Sequence, residues 1–172
     1  MHIKKNVFDN VFNTIIDIKD KTKDDMKARM DLKIYYRRKE LELQQLPDAK
    51  LMKPKAKFVL SKEQKVVVYK WITELRMLDG YASNLRRCVN IERGRTIGMK
   101  IRDCHVFMEQ LLPIALSALP NEVWKPLAKL SKFFKDLCST SLRVDDLSLM
   151  EQNIVITLCK WNDYFHMHSS TQ

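Results

Sequence analysis

Six cations crowd one short stretch of the chain. Residues 81–102 hold Arg86, Arg87, Arg93, Arg95, Lys100 and Arg102 against the single acid Glu92. A guanidinium is a planar fork that matches phosphate, and Gly94 and Gly98 interrupt the stretch, so it reads as a long basic loop able to track a nucleic-acid backbone. Its plainer reading is a solvated loop whose charge only keeps the protein soluble. A second basic group, Lys53, Lys55 and Lys57, lies in a region where residues 50–70 carry seven lysines against Glu63. The other chemistry-bearing patterns are weaker. Cys104 and His105 are adjacent, and neighbours on a helix point about 100° apart, so they do not converge on one ion. Zinc prefers ligand pairs two to four residues apart. His166-x-His168 adds imidazoles in an irregular tail, and Cys104 reads best as a buried structural thiol.

No catalytic constellation emerges. Ser139-Thr140-Ser141 reads as a helix end, and Gly94-Arg95-Thr96-Ile97-Gly98 lacks the spacing and lysine of a phosphate-binding loop. The pairs Asp24-Asp25 and Asp145-Asp146 suit the positive N-terminal ends of helices better than a metal. Trp71 and Trp161 fall on apolar helix faces and read as core, not as base-stacking platforms. No residue is assigned to a metal, a cofactor or a small-molecule substrate.

The elements that must carry these residues are helical. The 172 residues include only 3 Gly and 5 Pro, with 9 Met and 45% hydrophobic side chains, which disfavours a turn-rich β protein. Lys and Arg number 31 against 21 Asp and Glu, a formal charge of +10 that attracts polyanions. No apolar run follows Met1-His2-Ile3-Lys4-Lys5, so no secretory signal is expected, and no stretch is apolar for long enough to span a membrane. The four cysteines are far apart, without a C-x-x-C, and are expected to be reduced.

Val7, Phe8, Val11, Phe12, Ile15 and Ile16 recur in pairs every four residues, predicting a helix over about 5–18. Thr22-Lys23-Asp24-Asp25 caps a second helix through Met26 and Met30. Residues 34–60, with Pro47 and Pro54, read as a linker or long loop containing a short β-element at Phe58-Val59-Leu60. Ser61-Lys62-Glu63-Gln64 is a capping box that opens a helix with Val67, Trp71 and Leu75 on its apolar face, ended at Asp79-Gly80. A fourth helix starts near Asp103 and is kinked or ended by Pro113. Leu127, Leu130, Phe134 and Leu137 mark a fifth, and Leu147, Met150, Ile154, Leu158, Trp161 and Phe165 a sixth. The expected fold is all-α: an irregular bundle of about six helices with a long basic loop. It divides into a helical pair (1–33), a linker (34–60), a helical domain (61–165) and a disordered tail (166–172).

Several segments resemble the helical region of plant CACTA-type (En/Spm-like) DNA transposases. They are Met1 to Thr14, Lys21 to Lys33, Asp79-Gly80-Tyr81-Ala82-Ser83-Asn84-Leu85-Arg86-Arg87-Cys88-Val89, Asp103-Cys104-His105-Val106-Phe107-Met108-Glu109-Gln110-Leu111-Leu112-Pro113-Ile114-Ala115, and Phe133 to Leu147. The resemblance implies an RNase H-like transposase using three carboxylates and two divalent ions, with a helical insertion between the second and third carboxylates. It implies that this sequence starts inside the insertion and stops before the catalytic glutamate. His2 matches the histidine of the family's Asp-x-x-His motif without its aspartate, Lys4 stands where the family commonly has Glu, and residues 161–172 depart from the family pattern. No catalytic residue is therefore carried over. The implied protein is a truncated, catalytically incompetent, nuclear, transposase-derived chain that contacts the DNA backbone or pairs with itself or an intact transposase. The rival is a helical interaction module without DNA affinity, its exposed face being the helix of residues 5–18. An intact metal-dependent nuclease is disfavoured, because the acids sit at helix starts.

Overall fold

The paired apolar residues near the N-terminus organise the core. In the computed structural model, which describes residues 2–35, 38–77 and 85–165, helix α1 spans His2–Ile15 and buries Phe8, Val11, Phe12 and Ile15. The expectation that this helix offers an exposed face is overturned: its apolar side is the centre of the molecule. Phe8 and Phe12 stack on each other, and both meet Phe107, with every pair of ring centroids 5.3 Å apart. The helix stops where Asp17 takes a left-handed φ of 52°, a conformation that a short polar side chain tolerates. Asp25, not Thr22, caps α2 (Met26–Tyr35): its Oδ1 accepts the Ala28 N–H at 2.7 Å.

The stretch between α2 and α3 is largely non-helical, but it is packed. It contains a 3-10 turn (Lys39–Leu41) and a small hairpin of β1 (Gln44–Gln45) and β2 (Leu51–Met52). Leu41, Ala56, Phe58, Val59 and Leu60 are buried in the same cluster as α1. The predicted β-element at 58–60 is instead a turn, in which the Leu60 N–H donates to the Ile15 carbonyl at 3.0 Å. The capping box forms: the Gln64 N–H donates to Ser61 Oγ, and Gln64 Oε1 accepts the Ser61 N–H at 2.8 Å, opening α3 (Lys62–Glu74). The buried face of α3 is Val68, Tyr69 and Ile72. Val67, expected on that face, is 66% exposed. The predicted stop at Asp79-Gly80 lies outside the described residues.

Residues 101–115 run as one helical rod with a widened turn in the middle. The first segment, α4 (Ile101–Val106), starts two residues before Asp103, whose Oδ2 reaches back to accept the Lys100 N–H at 2.9 Å. A π-turn over Phe107–Leu111 follows, then α5 (Leu112–Ala115), which includes Pro113. The proline explains the π-turn. It has no N–H to donate and its ring crowds the carbonyl four residues back, so the chain widens ahead of it. The Leu112 N–H donates to Phe107, not to Met108. The Met108 carbonyl would next look to residue 113, which is the proline. The buried Ser131 hydroxyl of α6 (Asn121–Leu137) donates to it instead.

Helix α7 (Val144–Phe165) packs on α6; along it Thr157 and Trp161 are buried and Ile154 packs against the core. The expected stripe is only half correct, since Leu147 and Leu158 are exposed, while the Phe165 side chain lies outside what the structure describes. Leu149, Val155 and Ile156 are exposed as well. The fold is thus mainly helical, with seven α-helical segments and two two-stranded hairpins among the described residues. The tail 166–172 also lies outside them.

The orphaned carbonyl yields a test. Ser131→Ala should destabilise the protein by about 1–3 kcal/mol, the cost of leaving a buried acceptor unpaired. In a Pro113→Ala background, residue 113 regains an N–H, and the same serine substitution should cost clearly less. Urea unfolding of the four proteins reads the coupling directly.

Candidate nucleic-acid interface

The basic stretch is an ordered ribbon and not the long loop expected. It begins with a 3-10 turn, Leu85–Cys88, in which residues three apart eclipse. Leu85 and Cys88 therefore share the inward side and are buried, while Arg86 and Arg87 are exposed. Strands β3 (Val89–Asn90) and β4 (Arg95–Thr96) then pair antiparallel, Val89 opposite Thr96 and Asn90 opposite Arg95. Asn90 Oδ1 accepts the Arg93 N–H at 2.7 Å, and Gly94 turns the chain at a φ of 55°. The Ile97 N–H closes the ribbon on the Cys88 carbonyl at 2.7 Å.

One side chain fastens this ribbon to the helical body. The Tyr69 hydroxyl of α3 donates to the Gly94 carbonyl at 2.7 Å, and the Tyr69 ring is almost wholly buried. Burial pushes its phenol far above the usual range, so it stays a donor. All six predicted cations, Arg86, Arg87, Arg93, Arg95, Lys100 and Arg102, are exposed on this ribbon or at the start of α4. No ion pair among the described residues engages any of them.

The second predicted group is divided. Lys55 and Lys57 are exposed, but Lys53 is turned inward, which corrects its assignment as a phosphate contact. Its ammonium lies 2.9 Å from Asp17 Oδ1, 2.7 Å from the Asp24 carbonyl and 3.5 Å from Asp24 Oδ2. Asp24 in turn grips the guanidinium of Arg29, which is 1% exposed and also donates to the Leu41 carbonyl at 2.6 Å. Sequence reasoning missed both Tyr69 and Arg29. The only available signal was indirect: Arg29 follows Asp24 by five residues, across a helix start.

The thiol and imidazole do not form a site. Cys104 is fully buried and its thiol is pushed up to about 11, chiefly by burial and then by the Asp9 charge, so it stays protonated. Among the described residues no group of three or more His, Cys, Asp or Glu side chains could hold a metal, and His166 and His168 lie outside them. A buried cation is the less expected feature. The Lys4 ammonium of α1 donates to Glu109 in the π-turn and to Cys138 Sγ, at 2.8 Å, beyond the end of α6. Burial opposes its charge, but the hydrogen bonds to Cys138 and Glu109 and the Glu109 charge outweigh that, holding Lys4 above its usual range. A cleft of about 560 Å³ between α6 and α7 has an apolar wall of Phe133, Leu149, Met150 and Ile154, with Lys129 and Asp136 among its polar lining. No helix of the described residues is long and apolar enough to cross a membrane.

No protein-family model matches the chain, and no curated protein or solved structure is significantly similar to it.

The Tyr69 anchor predicts a local effect. Tyr69→Phe keeps the ring and removes one hydrogen bond, and should cost about 0.5–1.5 kcal/mol. Gly94→Ala has open space for its methyl but must hold a left-handed backbone, and should cost about 1 kcal/mol. Both should speed hydrogen exchange of the Val89–Ile97 amides while leaving α1 and α6 protected.

Proposed function

We propose that this chain is a transposase-derived helical module, without catalytic chemistry of its own, that contacts the DNA backbone in the nucleus. The observation that carries the DNA reading is the ribbon of residues 85–102. It presents six exposed cations, with no ion pair to any of them among the described residues, on a framework held by Leu85, Cys88 and the Tyr69 hydroxyl. Exposed guanidinium groups keep their charge at any physiological pH and grip phosphate in pairs of hydrogen bonds. The transposase reading rests on the order of the segments that resemble that family. Sequence-specific reading is not part of the proposal, since an α-helix in the major groove would have to present several such residues, and of the six cations Arg102 alone lies within an α-helix.

A salt series on a labelled duplex tests it. Neutralising Z phosphates gives a log–log slope of about −0.9Z, so four contacts give about −3.6. Arg86→Ala/Arg87→Ala/Arg93→Ala/Arg95→Ala should lose most of that slope while keeping its helical circular dichroism. A folded wild-type chain that does not bind at low salt would refute the proposal.

The exposed apolar residues of α7 favour a second reading, pairing with another protein chain. Val144 is 78% exposed, and Leu149, Val155 and Leu158 are exposed with it. On this reading sedimentation shows self-association that rises with protein concentration, persists in high salt and weakens on Val155→Ser/Leu158→Ser. A chain that sediments as a monomer at every concentration would remove self-pairing.

A further inference from the structure

The lysines at the start of α3 lie on the same row as the anchor of the arginine ribbon. Lys62, Lys65 and Tyr69 are separated by three and then four residues, the spacing that stacks helical side chains one above the next. Tyr69 is fastened to Gly94, whose chain neighbours are Arg93 and Arg95. Four residues of helix advance about 6 Å. Lys65 thus precedes the anchor by less than two nucleotide steps of about 3.4 Å.

The charge around that end of α3 is only partly neutralised internally. Lys65 is held below the usual lysine range, first by burial and, against the pull of Asp17, by Lys55, Lys53 and Lys62. Lys55 lines one recess with Gln64 of the first turn of α3, between Lys62 and Lys65 in the chain, and Lys53 is paired with Asp17. Of the carboxylates that face this end of α3, Asp17 already binds Lys53, and Asp24 is committed to Arg29. Glu63, exposed, accepts from the Ser61 hydroxyl at 2.7 Å and feels both Lys55 and Lys62. Lys57 lines the same recess as Lys55 and also acts on Glu40. Repulsion among like charges is relieved when an anion arrives, which is what a phosphate does.

We infer that Lys55, Lys62 and Lys65 continue the arginine ribbon as one phosphate-binding row, so that a single duplex lies along both. The inference rests on the DNA reading above and assigns two contacts, Lys62 and Lys65, that charge counting along the sequence does not single out. The row from Lys62 to Tyr69 adds about 10 Å to the footprint, roughly three nucleotide steps.

The test measures the salt slope of Lys55→Gln/Lys62→Gln/Lys65→Gln beside wild type and the four-arginine variant on one duplex, with circular dichroism for each. The expected slope is shallower than wild type by about 2–3, since each lost phosphate contact removes about 0.9. If the triple variant keeps the wild-type slope while the arginine variant loses it, the row is refuted and the DNA reading stands. If wild type does not bind, both fail. Should the triple variant lose its helicity, Lys55→Gln/Lys62→Gln changes only exposed side chains and should flatten the slope by about 2. Amine-reactive labelling of the wild-type complex gives an independent reading: the duplex should shield Lys55, Lys62 and Lys65 and leave Lys129 on α6 reactive. Equal labelling of all four with and without the duplex would refute the row.

Discussion

Phe107 is the residue on which the packing of the helical body turns. Its ring completes the aromatic group with Phe8 and Phe12, so it fixes α1 against the rod of residues 101–115. Its carbonyl accepts the N–H that opens the π-turn. That widening displaces the hydrogen-bond register by one, and Pro113 leaves the Met108 carbonyl without a backbone partner. Ser131 supplies the missing donor from α6. Three helices are thereby coupled through two consecutive residues, one by ring contact and the next by a single carbonyl. Moving Phe107 back into regular α-helical register would break the aromatic contact and the serine bond together. Interiors are close-packed and have few intermediate arrangements to relax into.

What could be read from the sequence follows from what is local. The capping box at Ser61 depends on residues three apart, and it formed as written. The paired apolar residues of α1 gave the helix, but not its place, because a periodic face says that something covers it and not what does. The phase of α3 was misread for a related reason. Val67, Trp71 and Leu75 are evenly spaced, yet Val68, Tyr69 and Ile72 are the buried set. β-branched and aromatic residues on both sides make either phase plausible by pattern, and the packing partner decides. In α7, which packs on α6, Thr157 and Trp161 are buried while Leu147 and Leu158 of the expected stripe are exposed, so a stripe that looked like core is half solvent-facing. The small strands escaped notice because two residues are too few for a period to show.

Charges were legible as counts and not as pairs. Lys53 and Lys55 look equivalent in the sequence, yet one is spent on Asp17 and Asp24 while the other faces solvent. The cause is the buried Arg29. A guanidinium removed from water must find several partners, and here they are the Asp24 carboxylate and the carbonyls of Leu41 and Pro54. Those carbonyls belong to the stretch that read as a linker. Satisfying one buried cation thus draws residues 41–54 against α2 and carries Lys53 to Asp24. The network stabilises little on balance, since desolvation of both ions offsets their attraction. Its effect is positional: it determines which lysines remain available.

The same distinction explains why the ribbon of residues 85–102 is a better candidate interface than its composition alone would make it. A basic segment that only solubilises has no need of fixed geometry, and ordering it costs about 1–2 kcal/mol of backbone entropy per residue. This one is ordered by groups that carry no charge: Leu85 and Cys88 beneath it, the Asn90 amide within it, and the Tyr69 hydroxyl at its turn. Among the described residues no ion pair engages its cations. Neutral side chains position the ribbon, and its charge stays available to a partner. A framework of this kind supports recognition by shape and charge, not by base sequence, because what is held in place is the backbone from which flexible arginines extend.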